Sequence, residues 1–535
     1  MQIIPTVSRH QMGFSTLDGL VTTDNEVRLL DAFVEKLEMD KLGFVSKDKP
    51  QEGKKKRQAD GRPSYHPKVF LKLYLYGYLN GIRSSRRLER ECGRNIELQW
   101  LLEGLVPNYH SIADFRKDNP NALRNTFKLF VCFLKDMGLV AGTTIAIDGT
   151  KVRAHNSKKN NYTPKKLERH LAYIDEKIGE YIKQLDTNDT NESSLPVKDV
   201  KEKIARLKAN KIKYEALQKQ LDQSEEPQVS TTDPDARSLL VQGQVVEVTY
   251  NVQAAVDAQH KLIVATHTIN RNDRNALSNI AIEAKENLQA EGFTALADKG
   301  YHNSRQLSEC EAQNITTICA PPTLVNSNLH GTTPEFMIDK FRYDETTDTY
   351  TCPQGETLKT KGTWHSKSRD GKESYKFKKY RTPACATCPV KHLCTGRKDG
   401  GREIDRSEFA SSTEANTLRY QQNPALYRSR QEINEHIFGT IKRKWGYNHT
   451  NLKGLAKVNG EFSLIMLVYN VKRCQNILGI NIFIERMIDW QPDYSRVAWF
   501  YLKNGSLRPF YTLIKFYPMI ASKKKDADKR PAMQR

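Results

Sequence analysis

The 535-residue chain lacks any apolar run long enough to cross a membrane, which needs about 20 residues. The nearest approach, SLIMLVYNV from Ser463 to Val471, is far too short. The start, MQIIPTVSRHQ, lacks the apolar core of a secretory signal, so a cytoplasmic protein is expected. Cysteine is scarce as well: nine residues, an odd number unevenly placed, fit reduced thiols with one candidate metal cluster better than a disulfide framework. Negative charge falls short too, 63 Asp and Glu against 84 Lys and Arg, for a formal charge of +21. The positive residues run through nearly every segment, and a polyanionic partner is the expectation.

The chain is long enough for several domains. Up to about residue 140 it reads as helical. FLKLYLYGYLNGI (Phe70 to Ile82) follows Pro67, which suits a first helical turn; Ser84 or Ser85 caps the next helix; Ser111 with Asp114 resembles a capping box. Arg83, Arg86, Arg87, Arg90 and Arg94 cluster around one helix start. Arginines and helix N-termini both favour phosphates, so residues 1–140 read as a helical DNA-binding domain, with Arg86 and Arg87 as candidate DNA contacts.

Residues 144 to 153 read as a strand whose apolar run meets Asp148 and Gly149. Asp-Gly is also a common hairpin turn, so the acid alone does not decide between a turn and a metal ligand. From Pro164, Leu167, Leu171, Ile174, Ile178 and Leu185 keep helical spacing; after the polar break DTNDTNESSLP, Val200, Ile204, Leu207, Tyr214 and Leu221 do so again. The pair forms a helical-hairpin insertion over 158–230, suited to DNA binding, dimerisation or loop filling. Strand character resumes at Val245 to Asp257 and Lys261 to Ile269, then a helix, then FTALADKGY, where Asp298 again ends an apolar run. A helix from Asn303 or Ser304 and a strand at ITTICAPP complete a mixed α/β sheet flanked by helices.

From Tyr427, YRSRQEINEHIFGTIKRKWG reads as a helix with Ile433, Ile437 and Ile441 toward the core. Arg428, Glu432, Glu435 and Lys442 share another face, which also suits a salt-bridged surface helix. Two acids on strand ends and one on a late helix supply the hard oxygen ligands of a two-metal phosphoryl-transfer site. DGTKVRAHNSKKNNYT, STTDPDARSLL, YNVQAAVD, ADKGYHNSRQL and EHIFGTIKRKWG, in that order, resemble a DDE transposase of a bacterial insertion sequence over roughly residues 14 to 475, GRPSYHP included.

The resemblance implies an RNase H-like catalytic domain over 141–475, with catalytic acids Asp148, Asp298 and Glu435 holding two Mg²⁺, Mn²⁺ serving as substitute. It implies cleavage at the ends of the element, strand transfer into target DNA, double-stranded DNA as partner, a homodimer and a place at the nucleoid. Glu432 is the fallback third acid. With Glu435 as the acid, Lys442 fits the Tyr-x2-Arg-x3-Glu-x6-Lys pattern, whereas Tyr427 and Arg430 each stand one residue out of place. Helical geometry favours Arg428 as the phosphate-side arginine. A haloacid-dehalogenase phosphatase is excluded because Thr150 stands where that family needs a second Asp. The remaining alternative is a catalytically inactive or co-opted DNA-binding protein.

Between the last strand and the Glu435 helix lies a Cys-rich insertion, 320–425. Cys352, Cys385, Cys388 and Cys394, with His392 as a substitute, fit a structural zinc site. Trp445 reads either as a core residue or as a stacking platform for an unpaired base. Residues 476–535 read as a basic, aromatic extension ending in a tail.

Overall fold

The computed structural model describes residues 14–44, 64–188, 197–224, 226–241, 244–322, 332–369, 372–397 and 400–497. The Gly61 end of GRPSYHP, most of the polar break before Val197 and the aromatic, basic end from residue 498 lie outside the described residues.

The N-terminal part is helical: α1 (Glu26–Glu35), α2 (Pro67–Leu79), α3 (Ser85–Arg94), α4 (Tyr109–Asp118) and α5 (Pro120–Asp136). Pro67 and Pro120 sit at helix starts, where a missing N–H costs nothing. Asn108, not Ser111, caps α4: its side chain accepts from the Ser111 N–H, and Ser111 is already inside the helix.

β1 (Thr144–Arg153) opens the sheet. A pair of long helices follows, α6 (Pro164–Asn188) and α7 (Val197–Gln223), then β2 (Arg237–Val241), β3 (Val245–Asp257) and β4 (Ile263–Ile269). The chain continues through α8 (Leu277–Leu288), β5 (Phe293–Ala297), α9 (Ser304–Ala312) and β6 (Ile315–Cys319). The strand order is β2-β3-β1-β5-β6, with β4 also paired to β3. β3 is antiparallel to β1, β2 and β4, whereas β5 runs parallel to β1 and β6 parallel to β5. The Asp148-Gly149 turn alternative is therefore corrected: Asp148 pairs with Ala254 and Gly149 with Gln253 in the middle of β1.

The Cys-rich segment is a second antiparallel sheet of β7 (Arg342–Asp344), β8 (Thr349–Thr351), β9 (Thr357–Thr360), β10 (His365–Arg369), β11 (Lys372–Arg381) and β12 (Ile404–Ser407). Its own small core holds Phe341, Tyr350, Leu358, Tyr380 and Ile404. Helices α10 (Ala410–Gln422), α11 (Pro424–Phe438), α12 (Leu455–Leu478) and α13 (Ile480–Asp489) complete the described chain.

The one long apolar run becomes α12, buried between α5 and β4, so its apolarity serves a central helix. Two buried asparagines close the free sheet edges. Asn470 of α12 donates to the Ile263 carbonyl at 2.7 Å and accepts its N–H at 2.8 Å; Asn416 of α10 does the same for Cys319 at 2.8 and 2.9 Å. Each satisfies backbone groups that an edge strand otherwise offers to another chain.

Candidate active site

β1 and β5 pair in parallel with Thr144 opposite Thr294 and Ala146 opposite Leu296. Continuing that register by two residues sets Asp148 beside Asp298, one strand apart, about 4.8 Å in a sheet. Asp298 is the first residue after β5, half-buried, and its carboxylate accepts the Gly300 N–H at 2.8 Å. Asp148 accepts its neighbour Gly149 N–H at 2.8 Å. Burial pushes the Asp148 carboxyl up to about 6, with Asp298 and Asp273 adding to the shift and the Gly149 N–H and Arg430 opposing it.

Arg430 is thus the arginine set against the acid pair, while Arg428 is exposed. This reverses the helical-wheel expectation: Ile433, Ile437 and Ile441 do face the core, but Arg430 lies on the border of that face and Arg428 beyond it. Tyr427 belongs to the same side, its ring 5.7 Å from the Arg430 guanidinium and within the field of Asp298. Asn434, one turn after Arg430, is buried with neither amide atom hydrogen-bonded. Tyr427, Arg430 and Asn434 therefore occupy the face toward the acids, and Glu435 stands exposed one residue further on. Among the described residues no three His, Cys, Asp or Glu are grouped as metal ligands, so Glu435 does not join the pair here. The fallback, Glu432, is committed to Lys261 at 3.1 Å.

Past Glu435 the helix loosens into a π-turn over Gly439–Lys444, where the Trp445 N–H reaches the Thr440 carbonyl. Inside it, Lys442 donates to the Thr150 hydroxyl at 3.0 Å and the Lys151 carbonyl at 2.9 Å, which places it on β1 two residues from Asp148. Glu435 lies along the helix between Arg430 and Lys442, both turned to β1.

Below the pair lies a polar cluster that the sequence reading did not single out. Asp273 accepts from Asn251 at 2.8 Å, Gln253 at 2.9 Å and Lys151 at 2.9 Å, and Gln253 accepts from the buried Tyr301 hydroxyl. Burial works to raise the Asp273 carboxyl, and these donors overcome it, holding it below the usual range. The cluster needs Gly149: a Cβ there would stand 2.3 Å from Gln253 Nε2 and 2.7 Å from Asp273 Oδ1. It ties β1, β3 and the turn after Asp298 into one rigid base. Two polar residues at i and i+2 in an otherwise apolar strand, Asn251 and Gln253, were its trace in the sequence.

Of the other expected contacts, Arg86 and Arg87 are exposed on the first turn of α3, whereas Arg83 is buried against Glu461 at 2.8 Å. Trp445 is half-buried, 5.8 Å from the Tyr447 ring and 6.2 Å from that of Tyr469. Cys352, Cys385, Cys388 and Cys394 line one cavity of about 30 Å³, each half-buried and reduced. The Cys394 thiol is pushed up by burial first and by the other three sulfurs after it.

A mixed α/β sheet with antiparallel β2, β3 and β4 on one side of β1 and parallel β5 and β6 on the other is the arrangement expected of an RNase H-like core. Residues 351–475 match the family model described as Transposase DDE domain, and residues 15–118 match Transposase domain (DUF772). Both matches are to transposase families, and together they support a DDE-type insertion-sequence transposase. The first match covers the four clustered cysteines, Arg430, Glu435 and Lys442, and neither match reaches Asp148 or Asp298. No curated protein and no solved structure matches the chain. Among the described residues no helix is long and apolar enough to cross a membrane.

Proposed function

We propose that the chain cuts DNA at the ends of its element and joins the freed 3′ ends to target DNA, using Asp148, Asp298 and Glu435. The register that sets Asp148 beside Asp298 carries this reading. Two carboxylates side by side, one raised by burial and by its neighbour, form a hard-oxygen donor set that fits Mg²⁺ or Mn²⁺. When bound, the metal supplies Lewis-acid stabilisation of charge on the phosphorus oxygens. Arg430 then holds a non-bridging phosphate oxygen beside Asp148, and Lys442 grips the strand next to Thr150. The Asp273 cluster keeps both acids in place without touching DNA.

The test is strand cleavage of a labelled duplex carrying the element's ends, comparing the parent with Asp148→Ala, Asp298→Ala and Glu435→Ala. Loss in all three, with DNA binding kept, is expected. Arg430→Ala should lose more activity than Arg428→Ala. Full activity in Glu435→Ala would remove that residue from the site. A second reading, a DNA binder that no longer cuts, draws on the exposed Glu435 standing outside the pair; binding without cleavage by the parent under both Mg²⁺ and Mn²⁺ would establish it.

The four cysteines hold, in this proposal, a structural zinc. Turns shape two of the corners: the Gly355 N–H reaches the Cys352 carbonyl at 2.9 Å, and the Lys391 N–H that of Cys388 at 3.2 Å. Four thiols lining one space of about 30 Å³ have the chemistry of zinc ligands, and, like Glu435 with the acid pair, they are not drawn together at ligand spacing here. Purified protein is expected to carry one zinc per chain by elemental analysis, lost in a Cys385→Ser, Cys388→Ser double variant. Zinc-free parent protein with an unchanged melting profile would reject the site.

A further inference from the structure

The helix that carries Glu435 is held to β1 at two points. Arg430 is set against Asp148 before it, and Lys442 donates to Thr150 and to the Lys151 carbonyl after it. Between those points the helix holds one residue more than regular α-helical winding would. In the π-turn over Gly439–Lys444 the bonds close one residue late, as the Trp445 N–H on the Thr440 carbonyl shows.

The present winding leaves two side chains badly placed. Asn434, one turn after Arg430, is 1% exposed, and neither its amide nitrogen nor its amide oxygen has a hydrogen-bond partner. A primary amide sealed from water without a partner costs free energy that a settled core position avoids. Glu435, the next residue, stands exposed. Successive helix residues are 100° and 1.5 Å apart, so an advance of one position from Glu435 to Gly439 brings Glu435 into the place of Asn434. Moving the extra residue from the π-turn to the turn between Arg430 and Glu435 makes that advance and leaves Arg430 and Lys442 where they are. The residues that change places suit one another. Phe438, half-buried against the main core, enters the place of the buried Ile437, and Ile437 enters that of His436, giving up the His436–Tyr469 contact at 3.2 Å. Gly439, which opens the π-turn, is the residue type least bound to one backbone geometry.

Charge explains why Glu435 stands outside here. A third carboxylate beside Asp148 and Asp298 is repelled until a divalent cation offsets the pair. Only the advanced register offers Glu435 to that cation, which is the differential interaction that a shift between two states requires.

We propose that α11 has two registers one residue apart, and that migration of the π-turn toward Arg430 carries Glu435 into the place now held by Asn434. The proposal rests on the reading of Glu435 as the third acid and adds how it reaches the other two.

The test is titration of the full chain with Mn²⁺, followed by electron paramagnetic resonance without DNA. Glu435→Gln is expected to weaken binding at least about tenfold. Deleting Gly439 removes the extra residue from its present place and locks Glu435 outward, so this variant is expected to bind as weakly as Glu435→Gln. Deleting Asn434 removes the extra residue on the other side and locks Glu435 inward; it is expected to keep the parent's affinity and to lose it when Glu435→Gln is added. Asn434→Leu puts an apolar group in the buried place and so favours the present register: it is expected to melt above the parent and to bind Mn²⁺ less tightly. Parent-level affinity in the Gly439 deletion or in Asn434→Leu overturns the two registers and leaves Glu435 a ligand, as does a folded Asn434 deletion that binds only as Glu435→Gln does. Where a deletion variant fails to fold, Asn434→Leu decides. Equal affinity in the parent and Glu435→Gln overturns the third-acid reading itself.

Discussion

Replacing Asp148 with asparagine is expected to abolish cleavage, by at least about 10³-fold, and at the same time to stabilise the metal-free protein. Both effects come from one carboxylate. In the folded chain its pKa is about 6 against an ordinary 3.8, mainly through burial. Between these values the folded state holds a proton that the unfolded state has released, so stability falls as pH rises from about 4 to about 6. Above that window the cost is complete, about 1–3 kcal/mol after allowance for partial exposure. Asparagine keeps the shape and removes the charge. In EDTA at pH 7.5 Asp148→Asn should therefore melt a few degrees above the parent, and the two curves should converge by pH 4. Divalent metal should raise the parent's melting temperature and leave the variant's unchanged. Identical melting of variant and parent at pH 7.5 would show that Asp148 is not strained by its surroundings, and the case for a metal-shaped site would lose its electrostatic support.

Removing the Glu461 carboxylate is expected to cost the most stability, about 3–5 kcal/mol, because it strands two buried guanidiniums. Glu461 lies wholly buried in the second turn of α12. It binds Arg83 at 2.8 Å, takes the Asn451 N–H at 3.1 Å and the Leu452 N–H at 3.2 Å, and lies 3.7 Å from Arg116. Burial works to raise its carboxyl, and Arg116 and Arg83 overcome that, holding it below the usual range. It is thus the clamp between the N-terminal helices and the segment that follows the π-turn. Glu461→Gln should lower the denaturant midpoint sharply and speed hydrogen exchange at residues 449–452. An unfolding midpoint within experimental error of the parent's would mean that the two arginines find water or another partner. Its contribution persists at neutral pH and is lost only as acid protonates it below the ordinary carboxylate range.

These two residues mark the difference between what was legible in the sequence and what was not. Asp148 was visible because an acid that interrupts an apolar, β-branched strand breaks a local rule, and Asp298 repeats the same break. Their separation of 150 residues equals the offset of the β1–β5 register, yet nothing local says that those strands are parallel neighbours. Glu461 left a weaker trace, a charge before a run of apolar residues, since its partners Arg83 and Arg116 lie more than 300 positions away in the chain. Arg430 was displaced in favour of Arg428 because a helical wheel ranks residues relative to one another and does not say which side of the helix meets the sheet. The second sheet was missed for a different reason: its strands are short, and β8, β9, β11 and β12 each give a single residue to its small core.

By itself, then, the sequence determined the elements whose signals are local. Proline and serine set helix starts; apolar periodicity set the long helices and the limits of β1 and β3; cysteine spacing marked one cluster; the charge balance marked a polyanionic partner. The tertiary structure alone decided which acids become neighbours, that Arg430 rather than Arg428 meets them, and that Asn434 rather than Glu435 occupies the inward position on α11. It alone also decided that Arg83 is a buried cluster member while Arg86 and Arg87 remain at the surface. The physical reason is range: propensity and capping act over one or two turns, whereas desolvation and charge pairing depend on whichever chain segments pack together, and that is fixed only when the sheet, α11 and α12 close on one another.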